Sequence, residues 1–259
     1  MIIDAHTHIG FGKAIVATPN ELITSMDRAS IAAALVFAGR VNQCQTEDLI
    51  RAIENFKSRL YPIGSISPLD NERPSLEIVE QWLSKKQIYG LKFYPGYEYF
   101  YPADESVRPY LKLLEKYNRP AIFHSGDTFS KVHESKLKYA HPLHIDDLAT
   151  EMPNLKIVIA HLGYPWVIDA AEVVYKNKNV YVDCSGFVYG EFKNEDKENF
   201  KTIWNEFMRV SSSPKRILFG TDWPIGEQAP YVAALKEIVG EDNDMFWHKN
   251  ANNLFGFNL

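Results

Sequence analysis

The sequence predicts a (β/α)8 TIM barrel, an α/β fold with parallel strands, on three observations. Eight short apolar, β-rich runs recur along the chain, helical stretches with recognisable caps separate them, and 259 residues match the usual size of one such barrel, about 250. The expected strands span 2–6, 33–37, 61–66, 90–94, 121–124, 156–161, 180–184 and 216–220. Several are nearly continuous in apolar character, as strands covered on both faces must be. The first helix is announced by Thr18-Pro19-Asn20-Glu21: the threonine caps, proline takes the first helical position, glutamate completes a capping box, and the helix runs to about Ser30. Further helices are expected over 46–56, 74–87, 106–117, 144–151, 167–177, 197–210, 230–239 and 244–254. With no internal repeat, low-complexity tract or Pro/Gly/Ser-rich linker, a single barrel domain over 1–259 is the simplest organisation.

Two longer connections follow the fourth and fifth strands. One, 94–105, carries Tyr94, Tyr97, Tyr99, Phe100 and Tyr101; the other, 125–143, carries Asp127, His133 and His141. Loops of this length tend to be functional, and both leave the C-terminal ends of strands, where barrel active sites assemble. Packing of the aromatic loop on its own barrel would explain it equally well.

Composition narrows the function classes. A hydrophobic fraction of 46% with 24% charged residues supports a substantial core and argues against disorder. A net charge of -5 without a basic run gives no footprint for nucleic acid. Cys44 and Cys184 form no CxxC spacing, so neither a disulfide framework nor a thiolate metal cluster is expected. No apolar stretch reaches the roughly 18 to 20 residues of a membrane span, and the N-terminus lacks a basic region followed by an apolar run, so a cytoplasmic location is expected. A homo-oligomer is compatible with the sequence.

The chemistry begins at Asp4-Ala5-His6-Thr7-His8. Histidines two apart on an extended strand point to the same side, within reach of one ion. His124, His161 and Asp222 close or follow three later strands. A lone histidine is more often a hydrogen-bonded structural residue. Four histidines and an aspartate, all at the C-terminal ends of strands, are harder to explain that way. Imidazole plus carboxylate suits one divalent first-row ion, with zinc first and manganese, iron or cobalt as alternatives.

As an ordered set, Ile3-Asp4-Ala5-His6-Thr7-His8, Phe123-His124-Ser125-Gly126, Ala160-His161-Leu162-Gly163, Phe219-Gly220-Thr221-Asp222-Trp223-Pro224 and Asn250-Ala251-Asn252-Asn253-Leu254-Phe255 resemble the amidohydrolase superfamily, across essentially the whole chain. Within it the resemblance is to the amidohydrolase-related family that contains aminocarboxymuconate-semialdehyde decarboxylase and 2-pyrone-4,6-dicarboxylate lactonase. The resemblance implies a barrel of amidohydrolase type in which His6, His8, His124 and Asp222 contact the metal and His161 acts on the substrate or the attacking water. In some members the matching histidine binds a second metal with a carboxylated lysine at the end of the fourth strand, near the place of Lys92. One metal is favoured here, and Lys92 could instead pair with an anionic substrate group.

Three functional readings result. The first is a hydrolase of a small amide, lactone or related carboxylic derivative, in which Asp222 takes a proton from water and delivers it to the leaving group, while His161 stabilises the oxyanion or orients the nucleophile. The second is a metal-dependent decarboxylase of an unsaturated or aromatic acid. The third is a non-catalytic, metal-stabilised binding protein. Arg40 is a candidate for a substrate carboxylate, with a surface charge as the ordinary alternative, and Tyr94, Trp166 and Trp223 are candidates for pocket walls, with packing as theirs. His141 and His144 form HxxH, but Pro142 between them favours a solvated or capping role. His133 and His248 are expected at the surface.

Overall fold

The computed structural model describes residues 1–10, 17–39, 44–128, 132–257 and 259. Eight strands run β1 Ile3–His8, β2 Ala33–Phe37, β3 Leu60–Ser65, β4 Leu91–Phe93, β5 Ala121–Phe123, β6 Ile157–Ile159, β7 Val180–Asp183 and β8 Ile217–Leu218. They form one sheet in sequence order, and each neighbour pair from β1·β2 to β7·β8 is parallel, as βα crossovers require. The sheet closes on itself beyond β8. Ala5 N donates to the Phe219 carbonyl at 2.8 Å, Asp222 N to that of His6 at 2.8 Å, and His8 N to that of Trp223 at 2.7 Å.

The helices are α1 Pro19–Arg28, α2 Thr46–Ala52, α3 Leu76–Ser84, α4 Arg108–Lys116, α5 His144–Glu151, α6 Val167–Lys176, α7 Asn194–Ser211, α8 Gln228–Val239 and α9 Asn250–Phe255. The capping box of α1 forms: Thr18 Oγ1 accepts from Glu21 N at 3.2 Å, and Glu21 Oε2 accepts from Thr18 N at 2.8 Å. Some bounds differ from expectation for local reasons. The second helix breaks into α2 and a short 310 turn, Glu54–Phe56. The last one opens with a π turn, Met245–Lys249, before α9. The sixth strand stops at Ile159 because His161 and Leu162 adopt left-handed backbone, with φ of 61° and 52°, which no ladder continues. Among the described residues, no helix is long and apolar enough to cross a membrane.

Apolar packing divides into two layers. Ile3, Ala5, Leu35, Phe37, Ile63, Ile122, Val158 and Leu218 fill the lumen, plugged at one end by Leu254, Phe255 and Phe257 from α9 and its exit. A larger cluster fills the space between strands and helices. One irregularity matters for the site. Strict alternation from Ile3 and Ala5 would turn His6 away from the lumen, but the register of β1 against β2 shifts between Asp4 and Thr7. Asp4 points out toward α8 as alternation requires, whereas past the shift His6 stacks on the lumenal Phe37 ring at 4.2 Å.

Candidate metal centre

β1 and the segment after β8 bring three donors together. His8 Nε2 lies 3.1 Å and His6 Nε2 3.6 Å from Asp222 Oδ1, and all three donor atoms lie within 4.8 Å of one another. His6, His8 and Asp222 are buried. His6 is oriented from behind: its Nδ1 donates to Asp183 Oδ2 at 2.9 Å, which leaves the Nε2 lone pair facing Asp222. Asp183 ends β7 and also accepts from His161 N at 3.1 Å, Ser185 N at 3.1 Å and Ser185 Oγ at 2.5 Å.

Lys92, at the centre of β4, is almost fully buried and reaches His6 Nε2 at 3.2 Å. Its ammonium also lies over the Phe37 and Tyr94 rings at 5.2 Å and 5.3 Å. Burial lowers its pKa to about 8, against the pull of Asp183 and Asp222. Burial, then the Lys92 charge, lowers His6 to about 3, so its imidazole is neutral. Burial alone would push Asp183 and Asp222 up. His6, His161 and Lys92 hold Asp183 well below the carboxylate range, and His8, His6 and His161 do the same for Asp222.

His161 and Asp222 both sit in left-handed backbone, with φ of 61° and 63°, a conformation that is costly without a surrounding frame. Part of that frame is a buried network around Asp4. Its Oδ1 accepts from His6 N and Thr221 N, each at 3.1 Å, and its Oδ2 from Thr221 Oγ1 at 2.6 Å and Gln228 Nε2 at 2.8 Å. Burial raises Asp4 to about 6 despite these donors. Gly186 supplies another part. At φ +69° a Cβ there would lie 2.8 Å from His161 Nδ1 and 3.2 Å from Asp222 Oδ2.

Of the other expected site residues, His124 and Tyr94 lie beside this centre. His124 shares the mouth, its ring centroid 5.1 Å from that of His161, but it stands outside the tight set of three; its Nε2 donates to the Asp127 carbonyl at 2.9 Å. The Tyr94 hydroxyl donates to the Ala38 carbonyl at 2.9 Å. The Trp166 ring lies against that of His141, with centroids 4.6 Å apart and planes tilted by 42°, and Trp223 lines a groove of about 490 Å³ between α1 and α8. Arg40 lies outside the described residues. His144 begins α5 and its Nε2 donates to the Lys138 carbonyl at 2.7 Å, whereas His141 precedes the helix, 3.4 Å from Asp169. His133 is exposed, and His248 is half-buried beside Asp244 at 3.4 Å. The two long loops interlock through Lys136 N to the Gly96 carbonyl at 2.7 Å and through the Tyr99 hydroxyl on the Glu134 carbonyl. Asp183, Ser185 and Gly186 were not singled out by sequence. Asp183 does obey the rule that drew attention to the histidines, since it ends an apolar run.

The family model described as amidohydrolase matches residues 3–257. The chain belongs to the amidohydrolase family. No curated protein matches it. A probable 2-pyrone-4,6-dicarboxylic acid hydrolase from Acinetobacter baumannii, solved with citric acid bound, is 16% identical with a TM-score of 0.73 over 99% of each chain. A variant of a 5-carboxyvanillate decarboxylase from Novosphingobium aromaticivorans, with bound manganese and 3-methoxy-4-hydroxy-5-nitrobenzoic acid, is 12% identical with a TM-score of 0.71 over 99% of this chain and 97% of its own. An amidohydrolase from Burkholderia multivorans with bound zinc is 13% identical with a TM-score of 0.71 over 99% of each chain. At these identities the likeness to solved structures establishes the shared fold.

Proposed function

We propose that this amidohydrolase-family chain is a metal-dependent hydrolase of a small carboxylic derivative, an amide or a lactone. The observation that carries the reading is the convergence of His6 Nε2, His8 Nε2 and Asp222 Oδ1 at the mouth of the barrel. The donor set fits a divalent ion, zinc first with manganese, iron or cobalt as alternatives, because two imidazoles and a carboxylate are ordinary ligands for it. The position of Lys92 supports the fit, since an ammonium already sits against the His6 Nε2 lone pair. His124, which shares the mouth with its ring centroid 5.1 Å from that of His161, would join as fourth ligand.

An ion held there supplies Lewis acidity and makes water acidic enough to attack near neutral pH. Asp222 takes the proton released by that water and returns it to the leaving group. His161 faces the same space and acts on the water or on the developing oxyanion. Lys92 offers a positive charge to an anionic substrate group, or, once deprotonated, a nitrogen able to carry a carboxylate that would bridge two ions.

Lys92 also favours a second reading, decarboxylation, because a buried ammonium beside the donor set can hold the carboxylate of an unsaturated or aromatic acid. The test is elemental analysis of the purified protein, followed by assays on lactones, amides and aromatic acids before and after chelation. Ring or amide opening and carbon dioxide release are read separately. The hydrolase reading expects one divalent ion per chain and an opening activity abolished by chelation and restored by zinc. Carbon dioxide release instead of opening would overturn it in favour of the second reading. Full activity after chelation would overturn both.

A further inference from the structure

We propose that Ser185 fixes the tautomer of His161, so that its Nε2 meets the mouth as a hydrogen-bond acceptor for the attacking water. This inference rests on the functional reading above and chooses between the two tasks that reading leaves to His161.

Ser185, just beyond β7 and buried, places Oγ 2.5 Å from Asp183 Oδ1, 2.9 Å from His161 Nδ1 and 3.0 Å from His6 Nδ1. A hydroxyl has one proton to give and two lone pairs to receive. Asp183 Oδ1 is the nearest of the three and already accepts from the His161 and Ser185 backbone N–H groups, so the single hydroxyl proton goes to it. Both histidine nitrogens must then donate, His6 Nδ1 sharing its one hydrogen between Asp183 Oδ2 at 2.9 Å and Ser185 Oγ at 3.0 Å. The backbone gives the same answer independently, because the Ser185 carbonyl, which has no proton, lies 3.3 Å from His161 Nδ1. Every polar valence of Ser185 Oγ is thus used, and Nδ1 of His161 carries hydrogen.

A neutral imidazole with Nδ1–H has its lone pair on Nε2. In that state it receives a hydrogen bond from water and has none to give to an oxyanion. Ser185 touches neither substrate nor reacting atoms, so it is a positioning residue acting through His161. The left-handed backbone at His161 and the absence of a side chain at Gly186 allow the ring to lie over Ser185.

The test uses zinc-loaded protein carrying nitrogen-15 histidine, with the His161 signals assigned by their loss in His161→Asn. In the parent we expect the chemical shifts of an Nδ1–H tautomer. An Nε2–H tautomer would overturn the proposal without any need for a Ser185 variant. In Ser185→Ala, which keeps only the longer 3.3 Å contact from Nδ1 to the backbone carbonyl, we expect the Nδ1–H form to lose its dominance and kcat to fall about 10-fold or more, with KM within about twofold and zinc content unchanged. Ser185→Thr, which keeps the hydroxyl, should recover both the shift and most of kcat. A Ser185→Ala protein with parental kcat and full zinc would sink the proposal while the functional reading survives. Loss of zinc and of all hydrolysis in the parent would sink that reading whatever the tautomer.

Discussion

Replacing Asp4 with alanine should cost about 3 kcal/mol of stability at pH 7, and more in mild acid. Four donors end on this carboxylate: His6 N, Thr221 N, Thr221 Oγ1 and Gln228 Nε2. A buried donor left without an acceptor costs roughly 1 to 3 kcal/mol, so taking about 1.5 for each gives a loss near 6. Against this, alanine removes a charge that the fold holds at some expense. The rise from 3.8 to about 6 is roughly two units, or about 3 kcal/mol against the ionised form at neutral pH. The sign follows from linkage. A folded pKa above the unfolded one contributes stability that is present below about pH 4 and lost as pH rises through about 6. The cost of Asp4→Ala should therefore shrink by about 3 kcal/mol between pH 4 and pH 7. Asp4→Asn should be milder at pH 7, near 1 kcal/mol, because its amide oxygen still serves two backbone donors. Gln228 can also turn its Oε1, which has no hydrogen-bond partner among the described residues, toward the new NH2. Urea unfolding of metal-stripped parent and variants across this pH range measures all three quantities. An alanine cost below about 1 kcal/mol at pH 7, or one that grows with pH, would refute the reasoning.

Two further outcomes bear on the site. Asp222→Asn should keep much of the bound metal, since an amide oxygen still coordinates, while single-turnover rates fall by at least about 10² fold; a fully loaded variant of parental speed removes Asp222 as proton carrier. Gly186→Ala should lose about 1 to 2 kcal/mol to left-handed backbone and about 10² fold in kcat, because its Cβ intrudes on His161 and Asp222. Gly190→Ala, with a similar φ of +71° and nothing within 4 Å of the added atom, is its control and should show the stability loss alone.

The barrel was legible because burial on both faces leaves strands almost purely apolar and caps mark where helices begin. The bounds of α5 match the expectation residue for residue, and Thr18 and Glu21 pair as their spacing implied. The meeting of His6, His8 and Asp222 was legible for a related reason, since residues that end barrel strands share one face of the molecule. What lay behind them was not. Asp183 holds His6 across 177 residues of sequence and Ser185 across 179, and a single chain carries no mark of such pairings. The parity change in β1 was equally silent, because the alternation of Ala5, His6, Thr7 and His8 reads the same with or without a register shift. Tyr94 and Trp223 show the converse. Their place near the mouth could be read from sequence, but not that the Tyr94 hydroxyl would reach the Ala38 carbonyl with its ring beside the Lys92 ammonium, or that Trp223 would line the groove between α1 and α8.

Closure of the sheet between β1 and the segment after β8 has a consequence for assembly. Asp4 and Thr221 are joined across 217 residues, and the donors beside them come from the same two stretches. An ion bound by His6, His8 and Asp222 is in effect a staple over the seam of the barrel. It rewards a contact made across most of the chain, whose loop entropy is costly to recover, and a half-barrel lacking the last strand would hold only part of its ligand set. Metal affinity and completion of the cylinder are then one equilibrium viewed from two sides. Tightening the seam should raise affinity for the ion, and loading the ion should slow the opening of the seam.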